Sequence, residues 1–415
     1  MDKFVIDGPV RLEGEVAVSG AKNAALPCLA ATLLTAEPVR LTNLPRVADV
    51  KTMQKVLGHI GARIEAEPEG VTIGVPEIAN ADAPYELVKT MRASVLVLGP
   101  LLARAGCVRV SLPGGCAIGV RPIDLHLAAF RRLGAQVSLH HGYVEAKAPR
   151  LAGSDVAFEG VTVTGTENAL LAATLARGET RLFNAAREPE VVDLARLLSS
   201  MGARIEGAGT ETIVVEGVDS LHGAEHEVVP DRIEAGTYAI AAAATRGDVL
   251  VRCCRPEHLR ALTSRLTAIG ARVELEDDTL RVRADGVLPA QDVATAPYPG
   301  FPTDLQAQWT ALATGLDGVS TITETIFENR FHHVAELVRM GAKIRLEGRW
   351  AVVEGCPLTG ASVMASDLRA SAALAIAGLT AEGRTVIDRV YHLDRGYARM
   401  EEKLNALGAS VRRVS

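Results

Sequence analysis

Aromatic residues make up only 4% of this 415-residue chain, which removes the stacking platforms that single-stranded nucleic acid needs. Positive charge is not in surplus either: 44 Lys and Arg face 50 Asp and Glu, a formal net charge of -6. A broad basic surface for nucleic acid or an acidic membrane is thereby excluded, but a local basic pocket for one small anion is not. Apolar runs such as Tyr238 to Ala244 are far too short to span a bilayer, so no membrane insertion is expected. The opening residues, Met1 to Gly8, hold no apolar signal core, and a cytoplasmic location is expected. The cysteines (Cys28, Cys107, Cys116, Cys253, Cys254 and Cys356) form no Cys-x-x-Cys pair and are too sparse for a disulfide scaffold. A Gly-x-Gly-x-x-Gly turn and a Walker loop are missing. The histidines, including His140-His141, His222, His226 and His332-His333, lack partners at metal spacing, so no metal is expected.

What is present is a folded soluble composition, 48% hydrophobic and 23% charged, in a chain too long for one ordinary core. An apolar-Gly-Ala phrase recurs along all of it, at Gly61, Gly134, Gly202, Gly270, Gly341 and Gly408, spaced 67 to 73 residues apart. Each phrase ends a helical pattern and starts an alternating one. Val191, Leu194, Leu197 and Leu198 share a helix face, Gly202 stops it, and Arg204-Ile205-Glu206 alternates as a strand with Thr212 to Val215 as its hairpin partner. Upstream of each phrase an alanine-rich helix ends at a turn and a short strand follows, as at Val249-Leu250-Val251. One unit reads helix, strand, helix, strand, strand. A solenoid usually repeats at about 20 to 50 residues, so two globular domains of three units each are expected. The divide falls near Pro230. The early strands Phe4 to Ile6 and Glu15 to Val18 are expected to complete the last domain, because the sixth unit lacks a second hairpin strand.

Two segments exceed the repeat. One surrounds Leu112 to Pro122 and the other Pro297 to Asp304. Surface loops tolerate insertion at small entropic cost, yet one insertion places Cys116 in a Gly-rich loop beside Arg121, and the other places Asp304 at a helix start. Free cysteines are usually small buried hydrophobes, but no apolar helical pattern surrounds Cys116, and Arg121 would favour a thiolate or bind an anion. Cysteine serves as general acid or nucleophile. Asp304 taken alone reads as a first-turn carboxylate favoured by the helix dipole. Lys22-Asn23 opens a helix, a ready anion site. Arg92, Arg121, Arg232, Arg330, Arg369 and Arg395 are individually ordinary surface residues. Together they would line a cleft and bind a multiply charged anion.

The sequence resembles the enolpyruvyl transferases along its whole length. The resemblance is carried by Ser19-Gly20-Ala21-Lys22-Asn23-Ala24-Ala25-Leu26-Pro27, by Leu112-Pro113-Gly114-Gly115-Cys116-Ala117-Ile118-Gly119 with Arg121-Pro122-Ile123-Asp124-Leu125-His126, and by Asn184-Ala185-Ala186-Arg187-Glu188-Pro189-Glu190. Further matches are Pro230-Asp231-Arg232-Ile233-Glu234, Pro299-Gly300-Phe301-Pro302-Thr303-Asp304, Phe327-Glu328-Asn329-Arg330, Asp367-Leu368-Arg369-Ala370 and Asp394-Arg395-Gly396-Tyr397.

The resemblance implies two inside-out α/β barrel domains, each of three βαβαββ repeats. One domain would span residues 22–229 with the Cys116 loop. The other would span 1–21 plus 230–415 with Asp304 and Arg395, and the active site would lie in the cleft between them. The implied reaction moves enolpyruvyl from phosphoenolpyruvate to the 3′-hydroxyl of UDP-N-acetylglucosamine, the first committed step of peptidoglycan precursor synthesis, with no metal or organic cofactor. Cys116 matches the family's acid and phospholactoyl carrier, and its presence implies sensitivity to fosfomycin. Asp304 matches the base for the sugar hydroxyl. Lys22, Asn23, Arg121 and Arg395 match contacts to phosphoenolpyruvate. Arg92, Arg121, Pro122, Ile123, Asp124, Leu125, Val161, Thr162, Val163, Thr164, Asp304 and Ile326 match contacts to the nucleotide sugar, with Arg232, Arg330, Asp367 and Arg369 in support. Two alternatives stay open: the same chemistry on shikimate 3-phosphate, and a non-catalytic repeat protein that binds nucleotide sugars. The oligomeric state is not legible.

Overall fold

All six glycines of the Gly-Ala phrase have positive φ, from +90° at Gly270 and Gly408 to +126° at Gly61. A side chain is strained in that conformation, so glycine there ends the helix and turns the chain. The helices so ended are Ala48–Ile60, Asp124–Arg132, Pro189–Ser200, Arg260–Ala268, His332–Arg339 and Met400–Ala406. A strand follows each one, for example Lys343–Glu347 after His332–Arg339. The computed structural model describes residues 2–89, 91–112 and 123–415.

The strands form six four-stranded sheets of one design. In the fifth, Val293–Ala294 runs parallel to Val319–Thr323, which pairs antiparallel with Trp350–Glu354, which in turn pairs antiparallel with Lys343–Glu347. The parallel edge strand is the element that periodicity misses. At two or three residues, as in Asp82–Ala83 and Asp155–Ala157, it is too short to show alternation.

The alanine-rich helices are buried around their whole circumference. In Leu368–Thr380, every residue from Arg369 to Leu379 is buried. It packs on Arg232–Ala244 and Gln306–Ala313, and small side chains allow that close approach. Helices therefore sit inside and sheets outside. That layering is the one the resemblance to the enolpyruvyl transferases implies.

The described residues divide into two compact units, 20–112 with 123–229, and 2–19 with 230–415. In the first, Ala224–Glu227 returns to pair parallel with Val39–Thr42. In the second, Glu13–Ala17 pairs parallel with Asp248–Arg252, and Lys3–Gly8 lies between Gly383–Asp388 and Val411–Val414. The N-terminal strands thus supply what the fourth and sixth repeats lack. Among the described residues, no helix is long and apolar enough to cross a membrane.

Candidate functional site

Asp304 lies in a 3-10 turn, Thr303–Leu305, that leads into the helix Gln306–Ala313. Its two carboxylate oxygens face two arginines. Arg330 Nη2 donates to Oδ1 at 2.6 Å and Arg369 Nη2 to Oδ2 at 2.7 Å. Burial alone would raise this carboxyl, but the charges of Arg369 and Arg330 hold it well below the usual carboxylate range. Arg369 also donates to Tyr397 Oη at 3.2 Å, and Gln308 Nε2 reaches Tyr397 Oη at 3.1 Å and the Asp304 carbonyl at 3.0 Å. The sequence assigns no role to Gln308, nor to Tyr397 beyond its place in a family match, because their roles depend on contacts with distant segments.

Other expected residues of this unit hold related positions. Asp367 caps the helix Leu368–Thr380, accepting from the backbone N–H of Arg369 and Ala370, so it orients the start of the helix that carries Arg369. Arg232 opens the helix Arg232–Ala244, capped by Asp231, and its guanidinium lies 5.7 Å from the Tyr298 ring centroid in the long segment before Asp304. Arg395 ends the short helix Val390–Arg395 and is half-buried. Ile326 is half-buried in the turn between Thr323 and Arg330.

In the other unit, Lys22 and Asn23 occupy the first two positions of the helix Lys22–Ala31, and Lys22 Nζ lies 2.9 Å from Asp49 Oδ2. Arg92 starts the 3-10 helix Arg92–Val97, and Ile123 precedes the helix Asp124–Arg132, on which Asp124 is exposed and Leu125 half-buried. Val161 is exposed, while Thr162, Val163 and Thr164 form the start of the helix Val163–Ala173, capped by the Thr162 hydroxyl.

One buried histidine ties these segments together. His126 Nδ1 meets Asn168 Nδ2 at 3.0 Å and His126 Nε2 meets Thr164 Oγ1 at 3.2 Å. Asn168 Oδ1 accepts from Gly99 N at 2.8 Å, and its amide nitrogen donates to Val95 O at 2.8 Å. That fixes the amide orientation, so Nδ1 is the acceptor and Nε2 carries the proton toward Thr164. Burial, then the Arg92 charge, push His126 down to about 4, keeping it neutral. The structure thus gathers Arg92, Ile123 to Leu125 and Thr162 to Thr164 in one neighbourhood. The helix spacing around His126 does not reveal its partner, because Asn168 lies 42 residues away.

Cys116, Arg121 and Pro122 lie outside the described residues. Cys28, Asp193 and His226 place one potential metal-ligand atom each within 4.8 Å of one another. The Cys28 thiol and Val229 N donate to Asp193 Oδ2 at 3.8 and 3.3 Å, and His226 Nε2 lies 3.2 Å from Oδ1 without hydrogen-bond geometry. Burial raises the Cys28 thiol far from its ionised form, which leaves it a poor metal ligand.

The sequence matches the family of EPSP synthase (3-phosphoshikimate 1-carboxyvinyltransferase) over residues 6–404. A UDP-N-acetylglucosamine 1-carboxyvinyltransferase of Koribacter versatilis (strain Ellin345) is 57% identical, covering all of this chain and 97% of that protein. One of Solibacter usitatus (strain Ellin6076) is 58% identical over the full length of both. Among solved structures, the enolpyruvyl transferase NikO of Streptomyces tendae superposes with a TM-score of 0.90 at 27% identity, covering all of this chain and 99% of that one. EPSP synthase of Acinetobacter baumannii superposes over the full length of both chains with a TM-score of 0.78 at 19% identity, which speaks to the fold alone. With family, fold and sequence in agreement along the whole chain, this protein belongs to the enolpyruvyl transferase family.

Proposed function

We infer that the chain transfers the enolpyruvyl group of phosphoenolpyruvate to the 3′-hydroxyl of UDP-N-acetylglucosamine, releasing phosphate, in the first committed step of peptidoglycan precursor synthesis. The observation that carries this reading is the 57–58% identity, over the whole chain, to two relatives named for that activity. The shikimate-phosphate reading has support only from distant structures at 19% identity and from the family's general description.

The chemistry divides among the residues as follows. Protonation of the phosphoenolpyruvate methylene makes the adjacent carbon electrophilic, and Cys116 supplies that proton and carries the covalent phospholactoyl adduct. The C–S bond then breaks and returns Cys116 as a thiolate as the sugar hydroxyl bonds to that carbon, and departure of phosphate with return of a methyl proton to that thiolate restores the double bond. Lys22, Asn23, Arg121 and Arg395 hold the phosphate and carboxylate. Arg92, residues 121–125, residues 161–164 and Ile326 hold the nucleotide sugar. Asp304 accepts the hydroxyl proton, and its two arginines set a condition on that role. A carboxylate held so acidic is a weak base, so it takes the proton only once substrate anions compete for Arg330 and Arg369. A cytoplasmic site of action fits the nucleotide-sugar acceptor.

Phosphate release from phosphoenolpyruvate tests the reading. Release is expected with UDP-N-acetylglucosamine and not with shikimate 3-phosphate, and fosfomycin should abolish it by alkylating Cys116. Binding of the nucleotide sugar by a folded preparation that releases no phosphate would overturn the assignment.

A further inference from the structure

Glu324 directly follows Val319–Thr323, the central strand of the fifth repeat, and is fully buried. The first residue after the central strand is at positive φ in four repeats, namely Asn43, Asn184, Cys253 and Arg389. Glu324 holds that place after Val319–Thr323 and is not in that conformation. The departure falls in the same repeat that carries the long segment before Asp304.

Among the described residues, four groups donate to its carboxylate. Oε1 accepts from Thr295 Oγ1 at 3.0 Å, from Ile326 N at 2.8 Å and from Phe327 N at 3.1 Å. Oε2 accepts from Thr303 Oγ1 at 2.8 Å. Thr303 Oγ1 in turn accepts from Arg330 Nη1 at 2.9 Å, while Nη2 of the same guanidinium holds Asp304 Oδ1. A hydroxyl that donates to a carboxylate is aligned by that bond, and its lone pair is left facing the guanidinium. Glu324 therefore joins the segment before Asp304 to the turn that carries Ile326 and Arg330, inside a single buried network.

We propose that Glu324 is a positioning residue: through Thr303 it aims Arg330 at Asp304, and through two backbone N–H groups it sets the turn that presents Ile326. This rests on the assignment of Asp304 and Ile326 to the acceptor sugar. The role differs from simple loop support because the Glu324–Thr303 bond governs the charge environment of Asp304. If the bond is broken, Arg330 loses a fixed anchor and the Asp304 carboxyl becomes less acidic.

Two variants cut the link at different atoms. Thr303→Val removes the bridging hydroxyl and leaves the Glu324 contacts to Ile326 and Phe327. Glu324→Gln keeps an acceptor for those N–H groups but turns an amide donor toward Thr303. Asp304 is read directly by carboxyl ¹³C titration of the protein without substrate, its resonance assigned by difference from Asp304→Asn. The expected result in both variants is a titration moved to higher pH. Alongside it, kcat should fall about ten- to a hundredfold with KM for phosphoenolpyruvate little changed, and Thr303→Ser should recover most of the loss. An unmoved Asp304 titration in folded Thr303→Val and Glu324→Gln would overturn the proposal, even if thermal stability fell. If the parent protein shows no turnover with UDP-N-acetylglucosamine, the functional reading fails separately, while the titration still decides the positioning claim.

Discussion

At Asp304 and at Asp248, both in the unit that contains residues 230–415, two arginines hold one carboxylate, with different consequences. At Asp304 the arrangement sits among the groups expected to touch substrate. At Asp248 it belongs to a sheet: Arg281 donates to both carboxylate oxygens at 2.8 and 2.9 Å, and Arg283 donates to Oδ2 at 2.9 and 2.6 Å. The hydrogen bond from Arg281 is the largest influence. Burial opposes it, Arg283 adds to it, and the carboxyl falls to about 2. A carboxyl depressed on folding contributes stability that is present above its unfolded value, near 3.8, and is lost as pH falls through about 2. With the arginines 43% and 40% exposed, solvent screening trims the full linkage value to about 1–2 kcal/mol. Asp248→Asn is therefore expected to lower unfolding free energy by about that amount at pH 7 and by only a small fraction of it near pH 2, as read by denaturant titration at both pH values. At this scale the sequence was only partly legible. Asp304 stood out because an insertion precedes it. Glu324 and His126 did not, because their partners are brought to them only by folding.

Elements were the most legible scale, because the second helix of each repeat stops at a glycine whose positive φ strains other residues. The sequence does not distinguish a glycine that permits close packing from one that does nothing. Gly99, in the helix Leu98–Ala105, shows the first kind. A Cβ there would lie 2.5 Å from the Asn168 carbonyl oxygen and 2.7 Å from Asn168 Oδ1 on the helix Val163–Ala173. Gly58, in the last turn of Ala48–Ile60, shows the second, with no atom within 4 Å of a Cβ. Opposite effects are expected from the same substitution. Gly58→Ala should stabilise by about 0.5–1 kcal/mol through helix propensity and a less flexible unfolded chain. Gly99→Ala should destabilise by about 1–3 kcal/mol through overpacking. It should also weaken UDP-N-acetylglucosamine binding, because Asn168 orients His126 and, through it, Thr164. Urea unfolding and calorimetric titration of the two variants check both halves. Equal behaviour of Gly58→Ala and Gly99→Ala would show that helix contact at Asn168 does not limit the packing.

For the whole molecule, the sixth repeat builds its last strand pair from opposite ends of the chain. In the first, second and fifth repeats, the last two strands form a hairpin with a two-residue link, closing at Glu67↔Gly70, His140↔Tyr143 and Glu347↔Trp350. In the sixth, the same antiparallel pair is Val411–Val414 with Lys3–Gly8, closing at Lys3↔Val414. The sequence hinted at this, since the last unit lacked a strand and the early strands had no unit of their own. The pairing register was not legible, because the partners lie at opposite ends of the chain. The geometry makes a strong prediction. Joining Val414 to Lys3 through Asn-Gly, which suits a two-residue hairpin, and reopening the chain between the exposed Pro68 and Glu69 converts the sixth repeat into the form of the others. That permutant should fold, with thermal stability close to the parent's and phosphate-release activity retained, because every sheet keeps its partners. Deleting residues 2–8 removes the same strand without replacing it. Val411–Val414 then loses Lys3–Gly8, its partner in the sheet, and the buried side chains of Phe4 and Ile6 leave the core. The truncated protein should be insoluble or unfolded by circular dichroism. A folded, active truncation beside an unfolded permutant would mean that continuity at the N-terminus, and not strand pairing, holds this unit together.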